Sequence, residues 1–277
     1  MRHHRGLTDT PEGVKGGAAQ LPESVLALCR VHEIDQETVR PWGGRRTGLV
    51  LALLLLPAGS AVAAQGEVVK APLSELITGL PVEKEGPRAG YHRREFKHWV
   101  DSDRDGCDTR AEVLLRDAVT APEITGRCTI AKDTGTWYSW YDDTTQTSKL
   151  DVDIDHMVAL GEAWDSGART WTAAEREAYA NDLDDPRALL AVHDKSNQSK
   201  VDRDPAEWMP PAVAAPCRYI TDWVVVKVRW GLSADGREHA AIQRIAAGCD
   251  DPEITVVLAR STRVEPSPRQ SEFTPAA

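Results

Sequence analysis

The chain has 277 residues, 41% of them apolar and 27% charged, which excludes a disordered polyanion and a fibre and leaves room for one large or two ordinary domains. Lys plus Arg is 33 and Asp plus Glu is 43, a formal net charge of −10, so a globally basic nucleic-acid coat is excluded while a locally basic cleft is not. Nine Trp against two Phe fits half-buried rings with a polar edge better than a ligand-stacking set.

In chain order, residues 1–44 are polar and show no apolar period. Arg45-Arg46 then precede an unbroken apolar run from Leu49 to Leu56 and the small-residue stretch Ser60-Ala61-Val62-Ala63-Ala64. A basic region, a short apolar region and an Ala-x-Ala site describe a secretory signal peptide over 45–64. The run falls short of the ~20 residues a membrane-spanning helix needs, so a secreted protein without stable membrane insertion is expected, a non-cleaved anchor being the competing reading. Because a signal peptide belongs at the N-terminus, initiation is expected nearer Val39, with 1–44 a non-translated or disordered extension. Without Cys29 four cysteines remain, Cys107, Cys128, Cys217 and Cys249, and an even set in an oxidising compartment reads as disulfides. Three pairings are open, of which the two local bridges, Cys107–Cys128 and Cys217–Cys249, are the simplest. No Cys-x-x-Cys supports a zinc ribbon or redox site.

Residues 65–90, rich in Pro, Gly and mixed charge, read as a linker with one apolar patch (Leu73, Leu76, Ile77, Leu80). One domain is expected over 91–250, and a Pro/Ser-rich tail over 251–277 with a short apolar piece at Ile254 to Leu258. Inside the domain, Thr109 to Ala118 has helical spacing, and Lys149 to Val158 alternates as a strand. Thr172-Ala-Ala-Glu175 is a capping box opening a helix towards Ala180, and Leu189 to Val192 is a second short strand. Asp204-Pro205-Ala206-Glu207 again combines a cap, an N1 proline and an N3 acid. Two late helices are expected around Ile220–Trp230 and Ala234–Ala247. The class is α+β with a small sheet.

Two acidic patterns carry chemistry. Asp101, Asp103, Asp105 and Glu112, with Gly106 between, match positions 1, 3, 5, 12 and 6 of an EF-hand loop, a cage of hard oxygens for Ca²⁺. Against that match, position 7 is Cys107 and position 8, usually apolar, is Asp108; a plain acidic turn capping the Thr109 helix is the alternative. The second pattern is Asp155-His156 at the end of the first strand, followed after the second strand by Asn197-Gln-Ser-Lys200.

A strand ending in Asp-His, a second strand, then Asn-x-x-Lys resembles the HNH endonucleases, and within them the secreted bacterial nucleases related to the C-terminal domain of GmrSD-type restriction endonucleases. The resemblance runs from about Tyr91 to Cys249 and includes Gly106-Cys107-Asp108-Thr109-Arg110 and Asp204-Pro205-Ala206-Glu207-Trp208. It implies a small ββα-metal core with surrounding helices, stapled by disulfides. It implies His156 as general base, Asp155 and Asn197 as ligands of Mg²⁺ or Mn²⁺ (Asn197 thus belonging to the catalytic set), and Lys200 as a phosphate contact. Phosphodiester hydrolysis needs those parts: a base for water, and cations on the developing charge. Because neighbouring strand residues point to opposite faces, the strand must break near His156 for both side chains to serve one phosphate. The middle Asn of the HNH pattern falls at Ala188; Asn181 is the candidate substitute. No base-reading module is visible, so a nucleic-acid partner is expected to be held by its backbone, DNA and also RNA, with little sequence preference. The rival is a non-catalytic extracellular Ca²⁺-binding or cell-wall-associated module in which His156 is incidental. His193 is expected to fill a loop, and His92, His98 and His239 to be surface or packing residues.

Overall fold

A computed structural model describes residues 61–63, 65–260 and 262–264. The extension over 1–44 lies outside the described residues, as does the signal peptide over 45–64 apart from the Ala61–Ala63 backbone, which forms strand β1. Residues 65–90 are built into the fold and are not a free linker. Strand β2 (Val68–Pro72) runs into helix α1 (Leu73–Thr78), and the apolar patch of that segment is the helix's buried face, Leu73, Leu76 and Ile77, with Leu80 beyond. Apolar residues three and four apart stack on one side of a helix, which is why a patch embedded in Pro and Gly still docks.

Helix α2 (Thr109–Arg116) starts where Asp108 accepts a hydrogen bond from the Ala111 amide. Strand β3 (Ala118–Thr120) and the two-residue strands β4 (Ile124–Thr125) and β5 (Thr129–Ile130) lead to β6 (Thr136–Ser139) and β7 (Thr144–Gln146), with β6 between β3 and β7 in a three-stranded sheet. Then come β8 (Val152–His156), α3 (Leu160–Asp165), α4 (Ala173–Ala180), β9 (Leu189–His193) and α5 (Asp194–Lys200). The capping box forms on α4: Thr172 Oγ1 accepts from the Glu175 amide and Glu175 accepts from the Thr172 amide. The first strand is shorter than its alternation implied, because Lys149–Asp151 is a 3-10 turn and the chain bends after His156. At Asp204-Pro-Ala-Glu207 only a turn forms. Asp204 accepts from the Ala206 and Glu207 amides, but Pro210 and Pro211 follow too soon for a helix to continue.

Helices α6 (Ala215–Trp230) and α7 (Gly236–Ala246) precede β10 (Glu253–Val257) and β11 (Thr262–Val264). Helix α6 is buried nearly all round, with Tyr219, Ile220, Trp223, Val224, Val225 and Val226 and also the charged Asp222, Lys227 and Arg229 inside, so it is the axis of the core. β10 pairs antiparallel with β2, from Glu253↔Pro72 to Val257↔Val68, and Ile254 and Val256 point inward. The expected tail therefore contributes a strand to the fold; its residues 265–277 lie outside the described ones. Cys107 is bonded to Cys128 and Cys217 to Cys249, the second bridge joining the start of α6 to the residues just past α7. Helices and several small antiparallel sheets make the class α+β, and no helix among the described residues is long and apolar enough to cross a membrane.

Candidate functional site

β8 and β9 pair antiparallel from Val152↔His193 to His156↔Leu189, and α5 follows β9 without a loop. This strand–strand–helix unit returns the end of α5 beneath the end of β8. Lys200 Nζ donates to Asp155 Oδ2 (2.5 Å) and to the His156 and Met157 carbonyls (2.8 Å each). The lysine is fully buried and its three protons are spent. Its expected role as a phosphate contact does not fit that position: Lys200 is the internal counter-charge of Asp155 and the clamp on the bend that ends β8. Burial pushes the lysine down and Asp155 up from their ordinary values, against the pull of their own ion pair.

Asp155 is held from a second side by the Tyr141 hydroxyl, which donates to the same Oδ2 at 2.6 Å. Its Oδ1 has no hydrogen-bond partner among the described residues, and Asp155 lines a cavity of about 340 Å³ together with Tyr91, Arg93, His156, Asn197 and Asp202. Asn197 Nδ2 donates to Asp153 Oδ2 (3.3 Å), which turns its own oxygen into the available acceptor. Two oxygen donors and no thiolate suit a hard divalent cation. The chain bends directly after His156, and Asp155 and His156 both line the cavity although β8 stays paired with β9 through His156↔Leu189.

The His156 ring is buried, stacked against Trp99 (5.7 Å between centroids) and Tyr179 (6.3 Å). Nε2 lies 3.0 Å from the Ala180 carbonyl, which can only accept, so Nε2 carries the hydrogen and Nδ1 keeps the lone pair. Burial lowers the pKa to about 3, opposed by the Ala180 carbonyl and reinforced by the charge of Arg93. The free imidazole is thus neutral at any working pH. Ala188, where the HNH pattern has its middle Asn, is buried at the strand end and offers only backbone: its carbonyl accepts from the Met157 amide. Asn181 directly follows Ala180 at the end of α4. It accepts from the Val100 amide and Thr109 Oγ1 and donates to the Lys97 and Glu177 carbonyls. Those four bonds fix the end of α4, and with it the Ala180 carbonyl that orients His156. Trp99 (φ 61°) and Val201 (φ 57°), one stacked on His156 and the other in the cavity wall, hold a backbone conformation disfavoured for bulky residues, at about 1–3 kcal/mol each.

The acidic loop at Asp101 also comes together. Ligand oxygens of Asp101, Asp103 and Asp105 all lie within 4.8 Å of one another. Asp101, Asp103 and Asp105 each accept from an amide of the loop, those of Gly106, Asp105 and Cys107, and Gly106 supplies the turn at φ 103°. Burial, then Asp103, Asp105 and Asp101, raise the Glu112 pKa, which places that carboxyl in the same negative field. The two departures from the loop pattern have structural work: Cys107 is in a disulfide and Asp108 caps α2. Of the other histidines, His193 pairs with Asp142 (2.5 Å) at the end of β9 and does not fill a loop, while His98 and His239 bond to the Phe96 and Ile77 carbonyls. Tyr141, the Ala180 carbonyl, Trp99 and Arg93 belong to the site and carry no motif of their own.

The family model described as GmrSD restriction endonucleases, C-terminal domain, matches residues 108–245. A protein of Arthroderma benhamiae (strain ATCC MYA-4681 / CBS 112371) named "Uncharacterized secreted protein" is 42% identical over 174 residues, covering 63% of this chain and 83% of its own. No solved structure matches.

Proposed function

Because the chain belongs to the family of the GmrSD restriction endonuclease C-terminal domain, we propose that it is a secreted, metal-dependent HNH-type endonuclease that hydrolyses DNA, and RNA as well, with little sequence preference. The observation that carries the reading is the convergence of His156, Asp155 and Asn197 on one cavity at the end of a strand–strand–helix unit. Secretion is supported by the apolar run before Ala64, by two disulfides and by the name of the 42% identical relative.

In this mechanism His156 Nδ1 takes the proton of the attacking water while Nε2–H stays on the Ala180 carbonyl, so the ring cannot rotate away from its acceptor geometry. An anionic phosphate beside the ring favours the imidazolium as it forms, which offsets the depressed basicity of the free site. Asp155 Oδ1 and the Asn197 side-chain oxygen would hold Mg²⁺ or Mn²⁺, which when bound neutralises charge on the phosphate oxygens. Lys200 and Tyr141 keep Asp155 in one rotamer. The Asp101–Glu112 loop is assigned a separate, structural Ca²⁺.

That loop also favours the rival, a non-catalytic Ca²⁺-binding module, and one experiment separates them. The full secreted chain should cut plasmid DNA, lose the activity on chelation and regain it with Mg²⁺ or Mn²⁺. Absence of cleavage with every divalent ion, alongside a Ca²⁺-dependent rise in melting temperature, would leave the rival standing.

A further inference from the structure

A phosphodiester placed against His156 needs a cation on its non-bridging oxygens, and Lys200 is already spent. Among the described residues that line the cavity, Arg93 is the one Lys or Arg. It projects from the 3-10 turn Arg93–Glu95, which is anchored by the fully buried Phe96 immediately after it. The remaining charged groups of the wall are committed: Asp155 to Lys200, and Asp202 to Arg88 (3.0 Å) and the Gly161 amide (3.3 Å). Nearby cations are committed too, Arg88 to Asp165 and Asp202, and Arg176 to the Trp171 and Glu95 carbonyls.

Arg93 differs from all of these. Its side chain makes no ion pair and no hydrogen bond among the described residues, although the chain carries ten more acids than bases. It nevertheless belongs to the site, lining the same cavity as His156, Asp155 and Asn197. An exposed guanidinium in the wall of a cavity whose acids are already neutralised has its donor fork free for an anion. We propose that Arg93 is the phosphate-binding residue of this site, its guanidinium gripping the non-bridging oxygens of the diester that lies against His156, Asp155 and Asn197. The assignment rests on the phosphodiesterase reading above and supplies the contact that Lys200 cannot make.

The test uses the full chain, a fluorescein-labelled DNA duplex whose anisotropy is read in chelator, and plasmid cleavage in Mg²⁺. Arg93→Ala should weaken duplex binding about tenfold or more and flatten the log K against log salt slope by about one unit. It should lower kcat/KM by about a hundredfold with the melting temperature unchanged, since the side chain supports no other contact. Arg93→Lys should restore the salt slope but not the full rate, because a point charge cannot grip two oxygens in a fixed fork. Arg94→Ala, on the same turn but outside the cavity wall, should change neither. If wild type cuts DNA and Arg93→Ala binds and cuts equally well, or Arg94→Ala is as damaging, the assignment of Arg93 falls while the nuclease reading survives. If wild type binds the duplex but never cuts, and Arg93→Ala binds less, the nuclease reading falls and the anion site stands. A wild-type chain that neither binds nor cuts overturns both.

Discussion

Among the described residues two lysines, Lys200 and Lys227, are fully buried, and their surroundings push them in opposite directions. Lys227, on α6, donates to Glu162 (3.0 Å), Ser166 Oγ (2.9 Å), the Ser233 carbonyl and the Glu238 carboxylate (2.7 Å each). Lys200, at the end of α5, has one carboxylate, Asp155, and two carbonyls. Burial lowers both, but two carboxylates outweigh it and raise Lys227, whereas a single one leaves Lys200 below its ordinary value. The difference separates structure from function. The Lys227 cluster is not part of the wall that holds Asp155 and His156, and it even carries surplus acid, burial raising Glu238 to about 7. The Lys200 pair gives up part of that compensation, and in return Asp155 keeps one oxygen facing the cavity.

The largest effect is expected at Lys227. Lys227→Met leaves Glu162 and Glu238 buried together with no cation, and should cost more than the about 3–5 kcal/mol typical of breaking one buried pair. Lys200→Met should fall inside that range and abolish cleavage, because Asp155 and the β8 bend lose their clamp. Adding Asp155→Leu to Lys200→Met should recover much of the stability and none of the activity. Urea melts of the three variants check the order; a Lys200→Met chain costlier than Lys227→Met would reverse the argument.

A buried charge with less support should be cheaper to remove. Asp222, also on α6, has a buried Oδ2 without a hydrogen bond, with Arg218 Nε 3.5 Å away, and burial raises its pKa to about 6. An acid raised above its unfolded value of about 4 penalises the folded state once it ionises. The penalty, at most about 3 kcal/mol, is complete above pH 6 and vanishes below pH 4. Asp222→Asn should therefore stabilise the chain at pH 8 and leave it unchanged at pH 4; equal melts at both pH values would contradict the burial argument.

The smallest effect is expected at the acidic loop. Ca²⁺ caged there would stabilise the folded state by mass action, about 2.7 kcal/mol at a hundredfold excess over Kd. Asp103→Ala should remove the Ca²⁺-dependent rise in melting temperature and spare kcat, whereas Asp155→Ala should spare that rise and depress kcat. An Asp103→Ala chain that melts normally but does not cut would move the loop into the active site.

What the sequence disclosed follows chemistry that is local in the chain. The Thr172 capping box, the helical spacing of α2 and the two strand patterns are set within a few residues and form close to where they are expected, whereas the Asp204 cap opens no helix. What stayed hidden depends on distant packing. The apolar patch at Leu73 gave no sign that β10, some 180 residues later, would pair with β2 and draw both into the core. Lys200 reads as a surface cation until the return of α5 under β8 is known. Tyr141 and the Ala180 carbonyl, a side chain in an aromatic run and a backbone atom, have no signature at all. Arg93 was legible only as one of two adjacent arginines, and burial of the rival cation singles it out.

We propose that the cavity at the end of β8 is catalytic through His156. The most direct measurement is single-turnover cleavage of plasmid DNA by His156→Ala against wild type, in Mg²⁺ and at matched fold and duplex affinity. Loss of the base should slow the chemical step by about 10²–10⁴-fold while duplex binding is kept. A variant that binds normally and retains more than about a tenth of the wild-type rate would show that His156 is packing and not the base.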